Sequence, residues 1–428
     1  MNNRSKISAA WMPLVIAASI AAGFWIDRVF FSSDASHSGT SKLDYILELI
    51  DSHYVDQIDT DSLIEKSLPK IIAGLDPHSV YIPKEDLRQV NEELEGTFSG
   101  IGISFNLIGD TINVLEVISG GPSEKVGIMA GDRIVTIDDS IAAGRGWSDV
   151  KVKSSLRGPK GTKVKLGVKR STSPTLLTFD ITRGDIPVTT IDAAYMITDK
   201  IGYVKVNTFG ASTYSEFFTA VADLKFKGAE KFIVDLRSNG GGFMERAVMM
   251  ANEFLEEDLP IVSMKGLHSP EKPPMVSDGS GLLKDSEVAV LIDEFSASAS
   301  EILAGAIQDN DRGLIVGRRS FGKGLVQNQI ELPDSSALRL TVARYYTPSG
   351  RCIQKTYAPG TDYDRDIINR YEHGEFYSAD SIKQNTTEAF TPSTGARCMA
   401  EEASCPTCLC PTTPPESPPI ISTCSTRA

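Results

Sequence analysis

Cysteine is almost missing from this chain. The first 351 residues contain none, Cys352 stands alone, and Cys398, Cys405, Cys408, Cys410 and Cys424 crowd the end. The body of the fold therefore does not depend on disulfides, even where export would permit them. Cys405-x-x-Cys408 has no second pair or histidine beside it, so no zinc site is expected. Histidine is scarce too, with five in 428 residues. None is placed near a Ser-rich or Asp-rich strand end as a Ser-His-Asp set requires. Gly-x-Ser-x-Gly and His-Glu-x-x-His are both absent, which removes the common hydrolase elbow and zinc protease signatures. Clustered Lys and Arg are also lacking. The formal net charge of −13 excludes a nucleic-acid surface and describes a solvated acidic one.

What is present fits two or three domains. Hydrophobic residues make up 41% and charged residues 23%, enough for a core and ordinary for a folded protein. The N-terminus departs from that pattern. Arg4 and Lys6 precede an apolar run from Ile7 to Ile26, closed by Asp27 and Arg28, and roughly 20 such residues cross a bilayer as a helix. Positive charge before the run favours export of the chain beyond it. The run exceeds the core of a cleaved signal peptide. Residues 1–30 are therefore read as an uncleaved anchor in the cell (inner) membrane, with the rest of the chain on the exported side.

A Ser-rich linker and a helical region occupy 31–95. Leu43, Ile46, Leu47 and Ile50 recur at helical spacing, a second helix is expected over 62–73, and a third starts near Lys84. Leu75-Asp76-Pro77-His78-Ser79 reads as a turn, with His78 a turn or packing residue and not a catalyst. From 96 to 185 the texture becomes short strands broken by glycine. Residues 112–118 read as a strand, 122–128 as a short helix, and Gly131-Asp132-Arg133-Ile134 as a turn entering another strand. This order resembles a PDZ domain. In that resemblance Gly100-Ile101-Gly102-Ile103 occupies the loop whose amides capture a peptide's terminal carboxylate while the peptide adds as a strand.

From 186 to 395 strands and helices alternate, an α/β (α+β) pattern. Strands are expected over 200–206, 231–236 and 288–292, and helices over 214–226 and 244–255. The apolar strand Val288–Ile292 runs through small residues, Ser296-Ala297-Ser298-Ala299-Ser300, into an amphipathic helix. A serine there would sit at a helix N-terminus, where free amides favour developing negative charge. Any one of these serines alone could be only a helix cap. The continuation Gln308-Asp309, Val316-Gly317 and Phe321-Gly322-Lys323-Gly324-Leu325-Val326-Gln327 decides otherwise.

With those motifs the chain, from about Leu43 to Gly395, resembles the C-terminal processing peptidases, serine proteases with a Ser–Lys dyad. The resemblance implies Ser298 as nucleophile, Lys323 as general base and Gln327 as the residue positioning it. It implies an oxyanion hole from Ala299 with Gly240 or Gly241, within Asp235-Leu236-Arg237-Ser238-Asn239-Gly240-Gly241-Gly242. That glycine run is not followed by Gly-Lys-Ser/Thr, so a phosphate loop is not favoured. The fold implied is a crotonase-like protease core with an inserted PDZ domain. Partners implied are protein or peptide substrates with free C-termini and the membrane, with a homo-oligomer open, and no nucleic acid, metal or cofactor. A lysine serves as base only if its pKa falls from ~10.4 towards neutrality, as burial allows.

The resemblance stops near Ala396, and 396–428 reads as a Pro- and Thr-rich disordered tail. Shifting the frame by one base from Cys398 permits Tyr, four Gly, Ile, Pro and Asp in the family's order, so a one-base frameshift is expected. That tail keeps alive a second reading, a catalytically impaired PDZ scaffold. A crotonase-like acyl-CoA enzyme is a third, against which the PDZ insertion and the serine-lysine spacing count.

Overall fold

The computed structural model describes residues 40–95, 97–187, 189–268, 273–357, 362–363, 365–378, 381, 389–390, 398–399, 408–409 and 425–426. The expected anchor at 1–30 lies outside them. Among the described residues no helix is long and apolar enough to cross a membrane. The chain divides into two compact units, residues 1–71 and 72–428. The first holds α1 (Thr40–His53) and nearly all of α2 (Thr60–Ile72), the helices that the apolar spacing predicts.

The second unit opens with β1 (Val80–Ile82), α3 (Lys84–Glu95) and β2 (Thr97–Gly100). There follow β3 (Ile103–Ile108), β4 (Thr111–Val117), α4 (Pro122–Val126), β5 (Arg133–Ile137), β6 (Ser140–Ile141), α5 (Asp149–Leu156), β7 (Lys163–Lys169) and β8 (Leu177–Thr182). These form a sheet of order β3-β4-β5-β7-β8, with β6 on β5. Ile112, Ile134, Val152, Leu166, Val168 and Ile181 are buried in a core of their own. Next, β9 (Gly184–Pro187) pairs antiparallel with β2, Phe98 opposite Ile186 and Gly100 opposite Gly184. The chain thus leaves this sheet beside the point where it entered, as an inserted domain must. Helix α5 is not anticipated by the sequence pattern. Its eight residues bury only Val152 and Leu156, too short a stripe to register as periodicity.

The third layer is α/β. Strands β10 (Ile191–Met196), β11 (Ile201–Val206), β12 (Lys231–Asp235), β15 (Glu287–Ile292) and β16 (Leu314–Gly317) lie in that order. Strands β11, β12, β15 and β16 run parallel, and β10 is antiparallel to β11. Helices α6 (Thr213–Phe226), α7 (Met244–Asn252) and α8 (Ala299–Asp309) pack on it. Helix α6 buries Phe217, Val221 and Leu224, the i, i+4, i+7 stripe of a core-facing helix. Helix α7 stops at Asn252, short of the expected end at Leu255. There the Glu253 carboxylate takes bonds from Tyr214 and from the amide of Leu282.

A second sheet is built from β1, β13 (Pro260–Lys265), β14 (Met275–Val276), β17 (Leu325–Glu331) and β18 (Ala337–Tyr346). Its order is β1-β18-β13-β14, with β17 also on β18. Helix α9 (Asp366–Glu372) follows. Four dipeptides beyond it take strand geometry: β19 (Ala389–Phe390), β20 (Cys398–Met399), β21 (Cys408–Leu409) and β22 (Ser425–Thr426). Of these, β21 extends the parallel sheet beside β16, and the remainder of the tail is outside the described residues.

Phe217 is fully buried and its ring centroid lies 6.1 Å from that of Phe254. Phe217→Ala is expected to cost about 3–5 kcal/mol, read from the urea midpoint of unfolding. A loss under about 1 kcal/mol would contradict the packing described for this core.

Candidate active site

The elbow after β15 explains why the three serines are not equivalent. Ser296 and Ser300 are fully buried, and each hydroxyl is already spent. Ser296 Oγ donates to Leu236 O at 2.9 Å and Ser300 Oγ to Asn239 O at 2.9 Å. Both bonds tie the elbow to the Asp235–Gly242 segment, as does Ala297 N to Asn239 O at 3.0 Å. Ser298 alone of the three faces a cleft, of about 950 Å³, shared with Lys323, Gln327, Gly240, Gly241 and Tyr345. It caps α8 at φ +56° and ψ −113°, a strained conformation of the kind that costs of order 1–3 kcal/mol and persists where the surroundings over-determine it.

The surroundings here are two side chains. The Glu301 carboxylate, fully buried, accepts from Ser298 N at 2.8 Å and Lys323 N at 2.9 Å on Oε2. On Oε1 it accepts from Ser320 Oγ at 2.5 Å and Gly322 N at 2.7 Å. Tyr345, also buried, donates its hydroxyl to Ser298 O at 3.1 Å and Lys323 O at 2.5 Å. The backbones bearing the serine and the lysine are thus joined twice, through their amides and through their carbonyls. Burial drives the Glu301 carboxyl above its ordinary pKa, and the four donors pull it back. Three of those donors are backbone amides, which cannot accept a proton in return, and they favour the ionised form against the effect of burial.

Lys323 Nζ donates to Gln327 Oε1 at 3.2 Å and, among the described residues, not to Ser298 Oγ. Burial lowers the Lys323 pKa, as does the Arg339 charge, while Glu301 and Asp76 raise it. Gln327 is held in turn, its Nε2 donating to His78 O. The turn presenting that carbonyl is fixed by Asp76, whose Oδ1 accepts from the amides of His78 and Ser79, both at 2.8 Å. The His78 ring bonds the Tyr363 hydroxyl at 2.7 Å. His78 is therefore a supporting residue of the turn, as expected, with its main-chain carbonyl as the working atom. On the other side of the lysine loop, the Arg370 guanidinium donates to Ser320 O and Arg319 O.

Gly241 makes the close approach to Ser298. A Cβ there would lie 2.8 Å from Ser298 Cβ and 2.9 Å from Ala299 N, and its φ is +99°. Its amide donates to Asn239 Oδ1 at 2.9 Å. The amides of Gly240 and Ala299 donate to no group among the described residues. Gly240 and Gly241 are equivalent candidates in the sequence; in the structure Gly241 is the one against Ser298 and its amide is engaged, while the Gly240 amide has no acceptor among the described residues. Away from this cleft, Gly100-Ile101-Gly102-Ile103 leads from the end of β2 into β3, the edge strand of its sheet. Gly102 has φ +75°, and the amides of Ile101 and Gly102 likewise have no acceptor among the described residues. No group of acidic, histidine or cysteine side chains able to hold a metal occurs among the described residues.

Sequence reasoning missed Glu301, Tyr345, Arg339 and the Asp76 turn as parts of the site. The Asp76 turn is legible as a turn but not as part of a site, and Glu301 carried one local signal, the Ser-x-x-Glu spacing of a capping box at Ser298.

A strained serine on a strand-to-helix elbow and a partly buried lysine line one cleft, an arrangement compatible with hydrolase chemistry. The sequence model of peptidase family S41 matches residues 200–367, and that of the PDZ domain residues 99–182. The carboxy-terminal-processing protease of Bartonella bacilliformis is 35% identical over 313 residues, 72% of this chain and 71% of that protein. Carboxy-terminal processing protease CtpA of Bacillus subtilis is 32% identical over 345 residues, 80% and 73%. CtpB of the same organism is 31% identical over 317 residues, 73% of this chain and 65% of that protein. Among solved structures, a photosystem II D1 C-terminal processing protease aligns at 29% identity and TM-score 0.41, covering 74% of this chain and 90% of that one. The chain belongs to the carboxy-terminal processing proteases of peptidase family S41, with a PDZ domain.

Glu301→Gln puts an NH2 group against amide donors and removes a charge that raises the lysine pKa. The variant is expected to lose about 3–5 kcal/mol of stability, read by urea unfolding. Any residual activity should rise at lower pH than in the parent. An upward move of that limb would contradict the assignment. Ser300→Ala should cost about 0.5–1.5 kcal/mol, since Asn239 O keeps the Ala297 amide as a donor, and an unchanged midpoint would contradict that bond.

Proposed function

We propose that the chain is an endopeptidase in which Ser298 is the nucleophile and Lys323 its general base. The observation that carries this reading is the double linkage of the two backbones through Glu301 and Tyr345, which fixes a serine and a pKa-lowered lysine in one cleft. Neutral Lys323 takes the Ser298 proton, and the alkoxide attacks the substrate carbonyl. The resulting ammonium returns the proton to the leaving amine, and water, deprotonated by the same lysine, hydrolyses the acyl-enzyme. The Ala299 amide and a glycine amide stabilise the oxyanion, Gly240 as it stands and Gly241 once it leaves Asn239. Each such donor is typically worth ~3 kcal/mol. Gln327 holds the lysine between turnovers. The PDZ loop at 100–103, with open amides and an open strand edge, would hold the substrate's C-terminus, so that cleavage falls near that end. Exported or envelope proteins are the substrates proposed, with the chain in the inner membrane through Ile7–Ile26. That location rests on the apolar run and its preceding positive charge alone.

The impaired-scaffold alternative has one observation in its favour, that Lys323 Nζ bonds Gln327 and not the serine hydroxyl. Cleavage of a denatured protein separates the two. Ser298→Ala and Lys323→Ala should each abolish it without unfolding the chain. The pH dependence of kcat/KM should show a rising limb below 10.5, since the lysine pKa is lowered from that value and its neutral form is the active one. Retained cleavage by Lys323→Ala, or a limb at or above 10.5, would overturn the dyad.

A further inference from the structure

The catalytic cleft contains a cation whose charge the fold does not use. Arg339, on β18, lines the same cleft as Ser298 and Lys323. Its side-chain hydrogen bond goes to a neutral group: Nη2 donates to Gln329 Oε1 at 2.9 Å. Gln329 is itself braced by Asn91, its Nε2 donating to Asn91 Oδ1 at 2.8 Å. Among the described residues no carboxylate pairs with Arg339. Arg318, Arg319 and Arg351 of this unit pair with Glu294 at 2.6 Å, Glu375 at 2.8 Å and Asp309 at 2.9 Å. Arg312, which has no carboxylate partner among the described residues, spends its guanidinium on four backbone carbonyls. Arg339 has neither.

A guanidinium taken partly out of water without an anion is costly. Here it also repels the nearby lysine, depressing that pKa. The register shows why it cannot turn away. Arg339 stands opposite Val80 on one side and Gln329 on the other, in the central strand of three. Two neutral amides in series hold its fork towards the cleft.

We propose that Arg339 is a substrate-specificity residue that receives a carboxylate of the bound peptide, in the same cleft in which Ser298 attacks. Guanidinium and carboxylate match as planar, two-pronged partners. The carboxylate can come from an Asp or Glu side chain near the scissile bond or from the peptide's own C-terminus. The PDZ loop lies on a different sheet, so this is a second point at which the enzyme reads negative charge. The inference rests on the proposed protease activity of this cleft.

The test uses the full chain and N-acetylated peptides that differ only in charge. One series carries a single Glu or Gln at successive positions around the cut. The other ends in a free carboxylate or an amide. Charge-assisted bonds of this kind predict that Arg339→Gln lowers the ratio of kcat/KM, carboxylate peptide over neutral counterpart, about tenfold to a hundredfold in one series. The loss should fall mainly on KM, and Arg339→Lys should recover part of it. The Glu series responding identifies a side chain as the source, and the free-acid series identifies the terminus. If the wild type cleaves but Arg339→Gln changes charged and neutral peptides alike, or neither, the inference is overturned and the protease reading stands. A role confined to tuning Lys323 would appear in that way, as an upward shift of the pH limb common to all peptides. If the wild type cleaves none of them, the protease reading fails and this inference falls with it.

Discussion

The buried carboxylate of Glu301 is the contact on which the rest of the site depends. It sits at the third position of α8, one turn beyond the elbow, and gathers the amides of Ser298, Gly322 and Lys323 with the hydroxyl of Ser320. The serine comes from the end of a parallel strand and the lysine from a loop entering a separate antiparallel sheet. Nothing in either sheet's ladder sets their spacing. Glu301 from one side and Tyr345 from the other do, and both are packed in the interior where such bonds are strong.

In the proposed mechanism the same arrangement lets a lysine serve as base without ceasing to be held. Burial and Arg339 push its proton off, while Glu301 and Asp76 hold it on. The balance is local and adjustable, because the charges that set it stand on different elements. Three serines within five residues also take different fates for a physical reason. Two are consumed as donors to the backbone carbonyls of the glycine segment, and the middle one is turned into the cleft by a backbone angle that only tight packing sustains.

Much of the framework could be read from the chain. The strand-to-helix elbow, the parallel strands flanking it, the PDZ insertion and the Asp76 turn all leave short-range patterns of apolar spacing or turn chemistry. The partners that organise the site do not. Gln327 meets the carbonyl of His78 across 249 positions, and Tyr345 reaches Ser298 across 47. No local periodicity encodes a contact closed by tertiary packing. Glu301 is the intermediate case: its spacing from Ser298 reads as an ordinary helix cap, and only the folded chain shows that the same carboxylate also grips the lysine loop. Helix α7 ends early for the same kind of reason, a tertiary bond overriding an apolar pattern.

The central claim is that this lysine, in this cleft, is neutral when it needs to be. Nitrogen-15 NMR titration of the Lys323 amine, assigned by its loss in Lys323→Ala, measures that directly in the folded protein. The account requires a midpoint below 10.5. A midpoint at or above that value would mean that Lys323 stays charged at working pH and that Ser298 must find another base.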